Sequence, residues 1–173
     1  MNKDLLIIGA GAYALVTKQI ALSMGCFGTI GFLDDNASHT PDGTPVLGTC
    51  QDLTLWQERF PQVVVAIGNG QIRQRLLDRI AAETTMEIAT LVSPHAFVCP
   101  SAHLSPGCII EPMAVVHAGC ELGKGCIISA GAVVNHLSTC GDCVHVNCNA
   151  VIHGGSSVPA CHKVDSCTVY QTA

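Results

Sequence analysis

The chain has 173 residues and a formal net charge of −5, with 12% charged residues against 49% hydrophobic ones. So few charges exclude an intrinsically disordered chain, and the acidic balance argues against electrostatic binding of nucleic acid. No uncharged apolar run reaches the ~18 residues of a membrane-spanning helix, so we expect no membrane partner. The apolar stretch Leu5–Val16 is interrupted by glycines and is interpreted as strand, turn and helix rather than as a signal peptide. Because the eleven cysteines are odd in number, we expect a reducing, cytoplasmic location.

The first half of the chain alternates strand-like and helix-like segments. Strands are predicted at Leu5–Ile8, Thr29–Leu33, Val63–Ile67 and Ile88–Val92, and helices at Ala12–Met24, around Leu53–Phe60 and at Ile72–Ala82. This alternation predicts βαβ units and a small Rossmann-like parallel sheet. The same half holds 15 of the 21 charged residues, and the change in composition places a predicted domain boundary between 1–93 and 94–173.

The second half repeats every six residues. Counting in sixes from Val98 to Val164 gives twelve positions, of which eleven are aliphatic and one is Cys140. Small or β-branched residues follow four positions after eleven of these twelve. Hexapeptide periodicity is typical of a parallel β-helix, in which three hexads make one coil. The predicted fold is therefore an α/β domain followed by a left-handed β-helix of about four coils.

Polar and glycine residues follow the predicted strands of the first domain. Gly9 and Gly11 come after the first strand, where a phosphate can approach the backbone at a helix start. Asp34 and Asp35 follow the second strand, where a carboxylate can meet a ribose or a base. Gly68, Asn69 and Arg73 follow the third strand, so all these residues are predicted at the carboxyl edge of the sheet.

Seven of the eight histidines lie after residue 94, which raises the question of a metal site. His117 and His153 share one column but lie two coils apart, or roughly 9–10 Å, too far for one zinc ion to bridge within a chain. We therefore expect no metal. Cys143 and Cys161 lie 18 residues apart and should stack on adjacent coils, where free thiols are favoured over a disulfide or a ligand pair.

His136 follows an inward-facing position and is therefore predicted on the surface of the β-helix. His145 comes nine residues later. Both are interpreted either as solvated surface histidines or as parts of a site in a cleft between subunits.

In order and spacing, several short motifs resemble the sugar O-acyltransferase, sialic-acid O-acetyltransferase family, which includes bacterial nucleotide-sugar N-acetyltransferases. The motifs are Leu6–Gly11, Gly31–Asp35, Pro45–Gly48, Ala66–Asn69 with Arg73, Val92–Ala96 and Gly131–His136. The resemblance covers nearly the whole chain. It implies a homotrimer with its active site between two β-helices, and transfer of an acetyl group from acetyl-CoA to a sugar amine or hydroxyl.

The resemblance also implies roles for individual residues. His136 matches the general base, a role that suits an imidazole because its unperturbed pKa lies close to working pH. His145 and Gly154 match positions that contact acetyl-CoA. Tyr13 stands where the family often has a ligand-contacting histidine, and Leu137 stands where it often has an acidic residue. The first domain would hold the sugar or its nucleotide through the strand-end residues, and the β-helix would end one or two coils sooner than in most members.

Two other functions compete with this prediction. A dinucleotide-dependent enzyme is favoured by the G-x-G-x-x-A pattern that begins at Gly9, followed by Asp34 at a usable spacing. A non-catalytic trimeric scaffold that binds a sugar is favoured by the short β-helix and by Leu137. Binding of coenzyme A distinguishes the transferase from both, because neither of the other two needs it.

Overall fold

The computed structural model describes residues 3–172 and begins with a four-stranded parallel sheet. Its strands are β1 (Lys3–Ile8), β2 (Phe27–Leu33), β3 (Gln62–Val65) and β4 (Glu87–Ile88), in the order β2-β1-β3-β4. Helices α1 (Ala12–Met24) and α2 (Gly70–Glu83) connect them, with a 3-10 helix at Cys50–Leu55. The predicted α/β domain is confirmed.

The helix ends follow from local chemistry. Helix α1 ends at Gly25, whose φ of 65° lies in the left-handed region that glycine adopts without a Cβ clash. Helix α2 begins after Asn69, whose side chain accepts a hydrogen bond from the Ile72 N–H. Such a cap satisfies one of the free N–H groups at the start of a helix.

The rest of the chain is a left-handed parallel β-helix with three faces, as predicted. The docked face consists of β5 (Leu91–Val92), β8 (Ile109–Ile110), β11 (Ile127–Ile128), β14 (His145–Val146) and β17 (Lys163–Val164). The apolar face consists of β6 (Phe97–Val98), β9 (Val115–Val116), β12 (Val133–Val134), β15 (Val151–Ile152) and β18 (Val169–Tyr170). The polar face consists of β7 (His103–Leu104), β10 (Glu121–Leu122), β13 (Thr139–Cys140) and β16 (Ser157–Val158).

The second residue of each short strand points inward. All twelve positions of the predicted hexad register lie in or against one core, and the buried ones include Cys140 at 4% exposure. Corners between faces use the left-handed backbone conformation, which Gly131 adopts at φ 70° and Leu137 at φ 58°. A non-glycine residue there carries a steric cost of roughly 1 kcal/mol.

The α/β domain packs on the docked face. Ala14, Ile20 and Phe32 form one core cluster with the outward-facing side chains of Leu91, Ile109 and Ile127. Leu77 and Ile80 of α2 form a second cluster that contains Cys143. The two halves of the chain therefore share apolar cores.

The strand predicted at Ile88–Val92 is split between the two halves. Ile88 pairs with Val63 of β3, whereas Leu91 and Val92 pair with Ile109 and Ile110 of the β-helix. The β-helix therefore starts before the expected residue 94, and up to residue 172 it contains fourteen short strands rather than twelve. The pattern near Leu53–Phe60 forms a 3-10 helix rather than an α-helix.

Candidate active site

The predicted site residues fall into three places. One is the corner between the apolar and polar faces, which carries His136. Another is the contact between α1 and the docked face, which holds Tyr13 and His145. The third is a cleft at the carboxyl edge of the sheet, lined in part by Gly9, Asp34 and Asp35.

The corner presents His136 to solvent two residues after the end of β12. Its imidazole lies over Gly154 of the next coil, where an added Cβ would come within 3.0 Å of both Cε1 and Nε2. The backbone N–H of Gly155 donates to the His136 carbonyl at 3.0 Å. A side chain at position 154 would force the imidazole to shift, so Gly154 leaves room for an accessible base at this corner.

His145 is placed differently from its prediction, because the polar face separates it from His136 along the coil. It is only 7% exposed, and its Nε2 lies 3.1 Å from the Ser129 hydroxyl. The Tyr13 ring is tilted against it, with ring centroids 6.3 Å apart. Glu111 lies nearby, buried, and accepts the Ala130 N–H. Tyr13, Glu111, Ser129 and His145 form what we call the interdomain cluster.

Two polar atoms of the interdomain cluster are buried without a hydrogen-bond partner among the described residues: the Tyr13 hydroxyl and His145 Nδ1. Burial, together with the positive charges of Arg73 and Lys163, lowers the pKa of His145 to about 4. Burial and the neighbouring Glu111 carboxylate raise the pKa of Tyr13 well above its usual value. His145 is therefore neutral at pH 7 and Tyr13 keeps its proton.

Arg73 was predicted among the residues at the carboxyl edge of the sheet that would hold the substrate, but its side chain lies between the two domains. It is fully buried, and its guanidinium donates to five backbone carbonyls. Ile67 and Gly68 of its own domain accept two of these bonds, and the β-helix carbonyls of Gly125, Cys143 and Val144 accept the others. All five donors are used, so Arg73 fastens the two domains together and has no group left for a ligand.

The glycine loop after β1 already binds a carboxylate of its own chain, that of Asp34. The Ala10 N–H donates to one Asp34 carboxylate oxygen at 2.8 Å, and the other oxygen accepts from Asn36 and Ala37. Gly9 lies at φ 106°, and an added Cβ would come within 2.9 Å of the Ala66 carbonyl oxygen. This carboxylate repels a phosphate, so the loop does not support the dinucleotide-dependent alternative.

Other predicted residues lie along the same edge of the sheet. Gly11 precedes α1, and a Cβ added there would meet no atom within 4 Å. Asp35 is exposed and accepts the Cys50 N–H with one oxygen. Gly68 approaches the His145 ring, with 3.9 Å from its Cβ position to Nδ1. Asn69 is exposed but uses its side-chain oxygen to cap α2.

Two arginines that line the cleft were not predicted as site residues from the sequence. Arg75 and Arg79 of α2 line it together with Asp34 and Asp35, and its volume is about 380 Å³. The signal was available in the sequence, because two cations four residues apart lie on one helix face.

Residues 3–172 contain no group of three or more histidine, cysteine or acidic side chains placed to hold a metal ion. Their helices also include none long and apolar enough to cross a membrane. All eleven cysteines are free thiols, including the pair Cys143 and Cys161.

Two protein families match the chain, and they divide it near the observed domain boundary. The PglD N-terminal domain matches residues 4–80, and the bacterial transferase hexapeptide (six repeats) matches residues 90–136. The acetyltransferase domain of PglB from Neisseria gonorrhoeae FA1090 is similar over the full arrangement, with 29% identity and a TM-score of 0.84. That match covers 98% of this chain and 91% of the other. This chain is a hexapeptide-repeat acetyltransferase.

Two further structures resemble this acetyltransferase. The same PglB domain in complex with acetyl coenzyme A is 28% identical with a TM-score of 0.82, and the match covers 98% of this chain and 93% of that one. A GDP-perosamine N-acetyltransferase mutant from Caulobacter crescentus, solved with CoA and GDP-perosamine, is 24% identical with a TM-score of 0.83. The match covers 96% of this chain and 88% of that one, and it shows that the two chains share a fold. The search of curated proteins gives no significant match. The predicted shortening of the β-helix stays a prediction.

Proposed function

We propose that this acetyltransferase moves an acetyl group from acetyl-CoA to the amine of a nucleotide-linked sugar, with His136 as general base. The observation that carries the proposal is the exposed imidazole held over Gly154 at a β-helix corner. Acetyl-CoA is supported as donor by the similar PglB domain that was solved with it.

The reaction needs one base and an aligned donor. The acceptor nitrogen attacks the thioester carbonyl carbon while the His136 imidazole takes the proton that the nitrogen loses. The C–S bond then breaks, and the imidazolium returns the proton to the coenzyme A thiolate. Such proton transfer by a positioned side chain contributes about 10²–10⁴-fold to rate.

An amine is favoured over a hydroxyl by the surroundings of the base. Leu137 follows His136 and is 68% exposed, so the neighbouring side chain is apolar rather than a carboxylate that could increase the basicity of the imidazole. An amine attacks with its own lone pair once it is deprotonated, whereas a sugar hydroxyl is a far weaker acid and needs a stronger base.

The acceptor is proposed to bind at the carboxyl edge of the sheet. There Gly9, Gly11, Asp35 and Asn69 surround the open end of the α/β domain, next to Tyr13 and Gly68. Gly154 and the corner beside it are proposed to contact the donor, and His145 is proposed to support that region from the interdomain cluster.

A homotrimer is proposed because no element within residues 3–172 covers the apolar face. Its outward-facing residues form one ladder: Phe97, Val115, Val133, Val151 and Val169. Phe97 is 55% and Val169 is 68% exposed. His136 lies at the edge of this face, and the polar face separates it from the α/β domain of its own chain. A second copy on the apolar face is therefore proposed to bring an acceptor to His136.

We also propose a cytoplasmic location, where acetyl-CoA is available and where a reducing environment keeps exposed thiols such as Cys148 and Cys167 free.

The test is acetyl transfer from acetyl-CoA to a panel of nucleotide-linked amino sugars, with products identified by mass spectrometry. The wild-type protein should add one acetyl group to at least one acceptor. The His136→Ala variant should lose at least a hundredfold in kcat, because it lacks the base, and keep its assembly state, because the imidazole is exposed.

The matched control is His103→Ala, which removes an exposed histidine from the polar face and should leave kcat unchanged. A His136→Ala variant with full activity would show that another group is the base. Transfer to hydroxyl sugars alone would overturn the amine assignment, and failure of the wild type to bind acetyl-CoA would overturn the donor.

A further inference from the structure

Helix α2 carries two different faces. Arg73, Leu77 and Ile80 are buried against the β-helix and the sheet. On another face, Ile72, Arg75, Leu76 and Arg79 follow the helical spacing i, i+3, i+4 and i+7 and line the cleft at the carboxyl edge. The cleft therefore combines an apolar wall with two guanidinium groups.

Ion pairs neutralise only part of the positive charge of the two guanidinium groups in the cleft. Arg79 donates to Glu83 at 2.7 Å, in a pair whose side chains are 33% and 44% exposed. Arg75 is exposed and has no ion-pair partner among residues 3–172. Like charges four residues apart on a helix repel each other, so this arrangement costs stability unless an anion binds between them.

The acidic residues of the cleft do not supply that anion. Asp34 accepts three backbone N–H groups, and Asp35 accepts the Cys50 N–H. These carboxylates are hydrogen-bonded to backbone groups of the loops, and among residues 3–172 neither forms an ion pair with Arg75 or Arg79. The cations at the mouth stay available, while the glycine loop is blocked for a phosphate by Asp34.

We propose that Arg75 and Arg79 bind the diphosphate of the nucleotide-linked acceptor, with the base against Ile72 and Leu76. Guanidinium groups suit this role because their planar donors match phosphate oxygens in pairs. Asp35 is left to accept a hydrogen bond from the ribose or the base. The inference rests on the proposed acceptor class and changes the phosphate site from the glycine loop to helix α2.

The experiment measures binding of UDP, GDP, CDP and dTDP, each separately, by calorimetry without acetyl-CoA. At least one should bind the wild-type protein. Arg75→Gln and Arg79→Gln should each weaken its Kd about tenfold, and the double variant roughly a hundredfold, as loss of charged hydrogen bonds predicts. Lys3→Gln is the control, because it removes a cation from the opposite edge of the same sheet.

The nucleoside without phosphate separates phosphate binding from a general effect on the cleft. Its affinity should be equal in wild type and double variant, and Arg75→Lys should recover part of the diphosphate affinity. In transfer assays the double variant should raise KM for the acceptor and leave KM for acetyl-CoA unchanged.

The outcomes distinguish this inference from the proposed function. If the wild type transfers acetyl groups and the double variant keeps its Kd and KM, the diphosphate site is wrong and the proposed function stands. If nucleoside diphosphates bind through the two arginines but no transfer occurs, the proposed function fails and the site stands. If no nucleoside diphosphate binds the wild type, the site is overturned.

Discussion

The docked face and the apolar face have the same construction and different neighbours. On both, the first residue of most short strands is apolar and points outward, as Ile109 does on one and Val133 on the other. Ile109 is fully buried by the α/β domain, whereas the other ladder ends in exposed Phe97 and Val169. The polar face carries His103, Glu121, Thr139 and Ser157 at the same positions. The outward residue thus differs with what covers each face: the α/β domain on the docked face, water on the polar face and, as proposed, a second copy on the apolar face.

The largest effect is expected from charges on the apolar face. Val133→Glu combined with Val151→Glu should convert the proposed trimer to monomers, because two carboxylates would be buried without partners. Acetyl transfer should fall at least a hundredfold if the site lies between copies. Size exclusion with light scattering measures the assembly, and the transfer assay measures the activity.

The matched control for this variant is Thr139→Glu, at the equivalent position of the polar face. It should keep the assembly state and the activity of the wild type. A trimer that survives both valine substitutions with full activity would show that another surface forms the interface.

The second effect is a loss of stability when Arg73, which links the α/β domain to the docked face, is replaced. Arg73→Met should lower the free energy of unfolding by about 3–5 kcal/mol, because it leaves buried carbonyls without donors. Arg73→Lys should restore part of the loss, since an ammonium has three donors rather than five. Urea unfolding at fixed protein concentration measures both.

Lys124→Met is the control for Arg73, because it removes an exposed cation from the neighbouring corner. Its free energy of unfolding should change by less than about 0.5 kcal/mol. An Arg73→Met protein as stable as this control would contradict the role assigned to the five hydrogen bonds.

The smallest effect is a pH dependence of the free energy of unfolding, which arises from His145 on the docked face. The pKa of His145 is about 4 in the folded protein and 6.5 for an ordinary histidine, so the unfolded chain binds more protons between these values. The free energy of unfolding should therefore fall as pH decreases from 6.5 toward 4, by ~3 kcal/mol at most, and this contribution should be constant above pH 6.5.

His145→Asn should reduce that slope, and His103→Asn on the polar face should retain it. Urea unfolding at half-unit pH steps gives the comparison. Equal slopes in all three proteins would show that His145 is not held neutral by its surroundings.

The sequence predicts the hexapeptide repeat better than it predicts the contacts between the α/β domain and the β-helix. The hexad register identifies inward residues such as Ile110 and Val134 because burial requires an apolar side chain at every sixth position. Arg73 was predicted with the other residues that follow the third strand, although it lies in line with Leu77 and Ile80 on the buried face of α2. Its partners are backbone carbonyls, which leave no mark in the sequence.

The candidate site was predicted in part for the same reason. His136 was expected on the surface and is found there, since its position after an inward residue determines this. His145 occupies an outward position too, but the α/β domain covers that face, and the repeat alone does not say which face is covered. Asp34 was predicted at the correct edge of the sheet, yet its three N–H partners depend on how the loops fold.

Arg73 attaches the α/β domain at one height along the β-helix, and this height matters for any assembly in which the β-helices of the copies run parallel. Its carbonyl partners Cys143 and Val144 belong to the coil that also carries His136, so the carboxyl edge of the sheet and the imidazole sit at one height along the β-helix axis. In a threefold arrangement around a parallel axis, equivalent residues keep equal heights. In the proposed trimer the carboxyl edge of one copy would therefore lie level with the imidazole of the next, and adding or removing one coil between them would shift the two by ~4.8 Å.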